Sequence, residues 1–300
     1  DTYNNLYCTN TSAINLGGNV TIDGTLTLIS GNGNLNIGAN TLTISNPVAG
    51  TGASTLLIGG STSNLTINGS AAGINIPGSV TSLNNLNISN SQVVTGGASL
   101  VINGTLTLEA TAGFFNMGGN TLTIGTSTSN TGSIVRNGGS IRGTLRRWFA
   151  SGASSDNIFP LDNGSGAFSQ AKVTFNSLTT GGTLTATFNN SGSGSLPNQG
   201  NGFYLPTGPS MGNVNLINLA PQYWTITAGD GLASPNYNLE LIGDAIPNIS
   251  IIDYIAIIKR NDGASPWTWT SANYSVTTGT NTNPVLYYNG GTSFSDFGVG

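Results

Sequence analysis

Over its first 145 residues the chain alternates apolar and polar positions in short bursts. Leu42-Thr43-Ile44, Leu65-Thr66-Ile67, Leu86-Asn87-Ile88 and Leu106-Thr107-Leu108 are typical. A period of two is the mark of a half-buried strand, apolar side chains in and polar ones out. Gly, Asn and Ser fill the gaps between bursts and provide the positive φ and local hydrogen bonds of tight turns. No stretch carries a 3.6-residue period, which excludes helical repeats.

The bursts belong to a longer repeat. Ile22-Asp23-Gly24-Thr25-Leu26-Thr27-Leu28 returns 80 residues later as Ile102-Asn103-Gly104-Thr105-Leu106-Thr107-Leu108. At the same offset, Asn36-Ile37-Gly38-Ala39-Asn40-Thr41-Leu42-Thr43-Ile44 returns as Asn116-Met117-Gly118-Gly119-Asn120-Thr121-Leu122-Thr123-Ile124. Taking Leu26, Leu42, Leu65, Leu86, Leu106 and Leu122 as equivalent gives steps of 16 to 23 residues. A coil of about 20 residues cannot bury its own apolar side, whereas stacked coils share a continuous interior. The pattern predicts a parallel β-solenoid, right-handed by crossover sterics. About seven coils at ~4.8 Å each would span roughly 35 Å.

The second half is built differently. Tyr3, Tyr7, Phe114 and Phe115 are the only aromatic residues before position 146, and every Trp follows it. Large rings and frequent proline replace stacked aliphatics. Strands are expected at 144–150, 171–178, 183–189, 222–228, 237–242, 254–260, 267–270, 274–278 and 285–288, joined by Gly-, Asn- and Ser-rich turns. Nine short antiparallel strands with aromatic cores predict a β-sandwich-like module, with a barrel as the alternative. The reading is therefore all-β: residues 1–16 as an N-terminal cap or exchange segment, 17–145 as the solenoid, and 146–300 as the sandwich-like domain.

Composition narrows the function. Charged residues make up 6% of the chain and the formal net charge is −4. Seven Lys and Arg residues cannot build a phosphate-binding surface, so nucleic acid is not an expected partner. Arg142, Arg146 and Arg147 are the one basic cluster and read as a solvated strand face. No apolar run approaches the ~18 residues of a transmembrane helix. Asp1 opens a polar segment, as a processed N-terminus would. Cys8 is the single cysteine, which leaves a buried apolar thiol in an N-terminal cap or an intermolecular bond.

Catalysis finds little to work with. The chain has no His, which removes Ser-His-Asp and Cys-His arrangements and the commonest transition-metal ligand. Residues 1–135 hold Asp1, Asp23 and Glu109 as their only charged side chains, with Asp23 and Glu109 about four coils, roughly 20 Å, apart. Such a pair cannot act on one glycosidic bond. In the second half Asp162, Asp230 and Asp262 stand beside Asn or Gly, where Asp closes turns. No Asp-rich calcium loop and no phosphate loop is present, and no cofactor is expected. For binding, Trp267-Thr268-Trp269 places two rings on one side of a strand, and Tyr287-Tyr288 follows in a neighbouring one. Trp in a sandwich more often packs in the core, and stacking on surface glycans is the second reading of these four. Sequons at Asn10, Asn19, Asn64, Asn68, Asn87 and Asn103 follow from composition. Tyr3, Leu6, Tyr7 and Cys8 are candidates for self-association, through a segment that caps the first coil or adds a strand to a neighbour.

The chain also resembles a family. Besides the solenoid phrases, Asn157-Ile158-Phe159-Pro160-Leu161, Gln222-Tyr223-Trp224-Thr225-Ile226-Thr227, Ile258-Lys259-Arg260-Asn261-Asp262-Gly263 and Phe294-Ser295-Asp296-Phe297-Gly298 are similar to segments of Bacteroidetes surface proteins exported by the type IX secretion pathway. The resemblance implies a Gly/Asn/Thr-rich solenoid, a β-rich module and a C-terminal sorting domain that is cleaved off. That last domain is absent, as in a mature product ending at Gly300. It further implies a secreted, cell-surface or extracellular location and a role in adhesion or surface structure. The expectation is a non-catalytic structural protein, a self-associating filament subunit or a stalk-like adhesin. A carbohydrate-binding surface module stands second and a polysaccharide-degrading enzyme third.

Overall fold

The computed structural model describes residues 1–162, 168–191, 204–205, 214–215, 219–244, 246, 255–261, 267–268 and 277–300. The chain divides into two compact units, Asp1–Ala150 and Ser151–Gly300. Every regular element among the described residues is a β-strand.

The first unit is a parallel β-solenoid of seven coils. Each coil opens on the same face, so that Thr2–Tyr3, Val20–Ile22, Thr41–Ile44, Asn64–Ile67, Asn85–Ile88, Thr105–Leu108 and Ser133–Arg136 form one parallel sheet in that order. Each coil then turns through a second and a third face. In the first coil these are Leu6–Cys8 and Ile14–Asn15, paired with Leu26–Leu28 and Leu35–Asn36 of the second. Alternation decides which side chains enter. Val20, Leu42, Leu65, Leu86, Leu106 and Ile134 stack in register as one inward column, and Ile22, Ile44, Ile67, Ile88 and Leu108 as the next. Leu42, Leu86, Leu106 and Ile67 are 0% exposed. Residues 1–16, expected to be a cap or exchange segment, are the first coil itself, with Cys8 stacked on Leu28 and 2% exposed.

The register corrects the expected leucine equivalence at both ends. Leu42, Leu65, Leu86 and Leu106 share a column, but Leu26 pairs with Leu6 on the second face and Leu122 with Leu100 and Leu145 on the third. The 80-residue sequence repeat is thus not a whole number of coils. It is four coils less one face: Leu26–Leu28 lies on the second face and its copy Thr105–Leu108 on the first. An apolar-polar-apolar strand fits any face, and only register with the neighbouring coil assigns it.

Corners between faces are closed by asparagine. Asn36 donates to Asn15 Oδ1 at 2.8 Å, Asn85 to Asn64 Oδ1 at 2.8 Å, and Asn90 to the carbonyls of Asn68 and Ala71. Asn5 and Asn19 accept the backbone N–H of Thr25 and Thr41 from the next coil. Such bonds satisfy the backbone groups that a turn leaves outside the ladders. Gly24 and Gly104, at matching places in the repeated phrase, sit so close to the previous coil that a Cβ would overlap the Asn4 carbonyl in the first case and the Asn85 side-chain oxygen in the second.

The seventh coil breaks the aliphatic rule. Its strand Ser140–Phe149 continues the parallel stack, with residues 144–147 paired to 121–124. The segment expected to open the sandwich therefore closes the solenoid. Arg136 and Arg147 occupy inward register positions below Leu108 and Ile124. Burial lowers both guanidinium pKa values, that of Arg147 to about 10. Arg142 lies over the Phe114 ring at 3.9 Å. These arginines are half-buried rather than spread on a solvated face.

The second unit is a curled antiparallel sheet. Gly152–Asp162, Phe168–Leu178, Asn236–Gly243 and Pro284–Gly291 pair in that order, with Thr278–Gly279 at the edge. Gly182–Asn189, Tyr223–Gly229, Asp296–Val299 and Ile257–Arg260 form the other stretch. The two stretches face each other: the Trp224 indole donates to Ser169 O at 3.1 Å, and Tyr288 meets Phe297 edge-on at 5.5 Å. Gly152–Asp162 and Asp296–Val299 were not expected as strands. The former is bulged, with Asp156 at φ 56°, and lacks clean alternation. The latter is buried on both sides, with burial at all four positions. The turn expected at Asp230-Gly231 is present, with both residues at positive φ and Leu232 N–H donating to Gly229 O. The expected strand residues 269–270 and 274–276 lie outside the described residues, as does Asp262.

Leu86→Ala is expected to cost about 2–5 kcal/mol, because a column closed above and below cannot collapse into the void. Thr107→Ser, on the outward side of the same sheet, is expected to stay within about 0.5 kcal/mol. Denaturant unfolding followed by far-UV circular dichroism separates the two.

Candidate functional surfaces and a buried arginine cluster

The residues proposed to stack on glycans are not gathered on one surface. Trp267 is 1% exposed. Its ring packs edge-on against Tyr223 at 5.9 Å, and the Arg260 guanidinium lies 4.4 Å from its centroid. A sugar cannot reach it. Trp269 lies outside the described residues. Tyr287 and Tyr288 point to opposite sides of the strand Pro284–Gly291. Tyr288 is buried against Phe297, and only the half-exposed Tyr287 meets solvent.

Sequence reasoning missed what surrounds Trp267. Arg260 Nε donates to Asp296 Oδ2 at 2.8 Å, with the two side chains 5% and 8% exposed. Thr225 Oγ1 donates to Asp296 Oδ1 at 2.7 Å, and Asn189 Nδ2 to Thr225 Oγ1 at 2.9 Å. Tyr223 and Trp267 hold the guanidinium at 4.7 and 4.4 Å. One carboxylate thus ties Tyr223–Gly229, Asp296–Val299 and Ile257–Arg260 together from within. Both charged residues lie in phrases that were visible in the sequence. Their separation by 36 residues is what concealed the pair.

Three more of the described acids, Glu109, Asp230 and Glu240, are likewise committed to architecture. Glu109 accepts from Asn87 at Oε1 and from Asn137 at Oε2, both at 3.1 Å, and so brackets three successive coils. Asp230 accepts from Thr183 at 2.6 Å beside its turn. Glu240 pairs with Lys172 at 2.7 Å across adjacent strands, with Asp156 at 3.6 Å from the same ammonium. The Glu240 hydrogen bond, more than any other cause, raises the Lys172 pKa. Asp23 and Glu109 follow first-face strands four coils apart.

The first coil divides the proposed assembly residues. Cys8 and the half-buried Leu6 point inward, on Leu28 and Leu26, and burial raises the Cys8 thiol pKa. Tyr3 and Tyr7 are 39% and 65% exposed. Thr2–Tyr3, Leu6–Cys8 and Ile14–Asn15 are each the last strand of their sheet. Leu6 N–H donates to Thr25 O in the second coil, so the Tyr7 peptide, one residue on, faces the opposite way. The first coil therefore turns backbone donors and acceptors away from the stack on all three faces.

Comparison of the chain with protein-family models, curated proteins and solved structures returned no match in any of the three.

Asp296→Ala leaves the Arg260 charge buried without its counter-ion and is expected to destabilise the second unit by about 3–5 kcal/mol. Replacing both partners, Arg260→Met with Asp296→Leu, is expected to recover most of that loss. Urea unfolding followed by tryptophan fluorescence reads both, because three of the four tryptophans lie in this unit.

Proposed function

We propose that the chain is a non-catalytic structural protein of a cell surface or extracellular layer, in which the solenoid is a stiff spacer. The observation that carries this reading is the use of the acidic side chains. Glu109, Asp230, Glu240 and Asp296 each hold coils or strands together rather than converge on a cleft. An interior of stacked aliphatics with uncharged Thr and Asn outside suits a spacer that resists unwinding. Export by the type IX pathway is part of the proposal and rests on the sequence phrases it shares with such surface proteins.

Assembly is the second part of the proposal. Open strand edges are templates for pairing with another chain unless blocked, and the low surface charge weakens repulsion between copies. The first coil, flanked by Tyr3 and Tyr7, is the joining edge to a second copy; without joining, the same architecture serves as a stalk-like adhesin. Burial of Trp267 and Tyr288 weighs against a glycan-binding module built on those rings.

Tyr7→Pro removes an N–H that points away from the second coil while leaving the intramolecular ladder intact. Light scattering and electron microscopy of the unmodified protein are expected to show concentration-dependent linear assemblies, shortened or abolished by Tyr7→Pro with unchanged circular dichroism. An unmodified chain that stays monomeric at high concentration would remove the filament and leave the stalk.

A further inference from the structure

The opening face of the solenoid is the one sheet that runs unbroken through all seven coils. Its register contains no shift from Thr2 to Arg136. The central outward column therefore reads Thr2, Thr21, Thr43, Thr66, Asn87, Thr107 and Val135 on the seven coils, the middle five half-buried and the two ends exposed. A flanking outward column carries Thr41, Asn64, Asn85, Thr105 and Ser133, whose side chains are partly linked to one another: Asn85 donates to Asn64, and Thr105 and Ser133 share a hydrogen bond at 2.8 Å. No Lys, Arg, Asp or Glu stands in either set.

Three physical features limit what such a face can hold. Its central column and the Thr41 flank are uncharged, and the two carboxylates of the opposite flank, Asp23 and Glu109, stand four coils apart, so an ionic partner gains little from it. It measures about 30 Å by about 10 Å from strand spacing and rise, roughly 300 Å² against the ~800 Å² per partner of a stable protein interface, so a second copy seated here alone would not stay. It also lacks the outward aromatic rings on which sugars stack. What remains is rigidity and period. Threonine is stiff at χ1, so each coil with Thr in the column fixes one methyl and one hydroxyl, and successive coils repeat at ~4.8 Å. That spacing lies close to the shortest repeat between equivalent oxygens in hexagonal ice. A row of hydroxyls can anchor waters at this period while the methyls between them hold the same waters in a cage. Charged heads within the column would orient water around themselves and destroy the order.

We propose that this face binds ice: the Thr21, Thr43, Thr66 and Thr107 column orders a water layer that merges with a growing crystal plane. The inference does not depend on self-association and concerns a different surface from the first-coil edge.

The test uses the full chain in a nanolitre osmometer and in an ice-recrystallisation assay. The unmodified protein is expected to shape crystals and to separate freezing from melting. Thr66→Lys and Thr43→Tyr, both at outward positions, are expected to lose this activity with unchanged circular dichroism. Thr95→Lys, outward on the second face, is expected to keep it. Absence of crystal shaping by the unmodified protein overturns the proposal, as does equal activity in Thr66→Lys or equal loss in Thr95→Lys. Adsorption to crystalline cellulose or chitin that Thr66→Lys abolishes, without any effect on ice, would assign the face to a neutral glycan and overturn it too.

Discussion

Parallel stacking of one coil on the next is the constraint from which the solenoid follows. A single coil has an apolar side with nothing to cover it and strands whose peptide groups have no ladder partner. The next coil answers both needs at once, covering Leu65 with Leu86 and pairing Asn64–Ile67 with Asn85–Ile88. Because the same step repeats, each position in the sequence is selected by its neighbours one coil away and hardly by anything further. Inward sites take Leu, Ile or Val. Corners take Asn, whose amide reaches across to the adjoining coil, and Gly where that coil's carbonyl leaves no room for a Cβ. The scarcity of charge has the same origin: an ammonium or carboxylate every 4.8 Å along a column would repel its own copies.

This explains what could be read from the chain and what could not. The alternation at Leu42, Leu65, Leu86 and Leu106 gave strand, inward face and coil number directly, since period-two burial and a repeat of about 20 residues are local properties. The face on which each strand sits was not local. Leu26 and Leu122 carry the same phrase as Leu42, yet stand on other faces because turn lengths, not strand identity, set the register. Residues 144–150 misled for a related reason. Trp148, Arg146 and Arg147 look like sandwich material, but Leu145 still meets Leu122 in the stack.

In the second unit the relevant contacts are long-range. Strands with clear alternation, such as Asn236–Gly243, were legible. Asp296–Val299 was not, because it is buried on both sides. Trp267 shows the same limit at the level of a site. Its alternation with Trp269 left a core ring and an exposed platform both open, and the fold makes it core, as one wall of a guanidinium cage around the Arg260–Asp296 pair. A buried charge needs a counter-ion together with hydrogen bonds and ring contacts to offset its lost hydration, and only the folded module brings Tyr223, Thr225, Arg260, Trp267 and Asp296 together.

If inter-coil stacking carries the first unit, its stability is a sum over neighbouring coils, and the most direct measurement is native-state hydrogen exchange resolved by coil. The account predicts the slowest exchange for ladder amides of the third to sixth coils, with Leu65, Leu86 and Leu106 among them, and graded loss of protection toward Leu6 and Ile14 in the first coil. Uniformly fast exchange across Thr41–Ile44, Asn64–Ile67 and Asn85–Ile88 would contradict it.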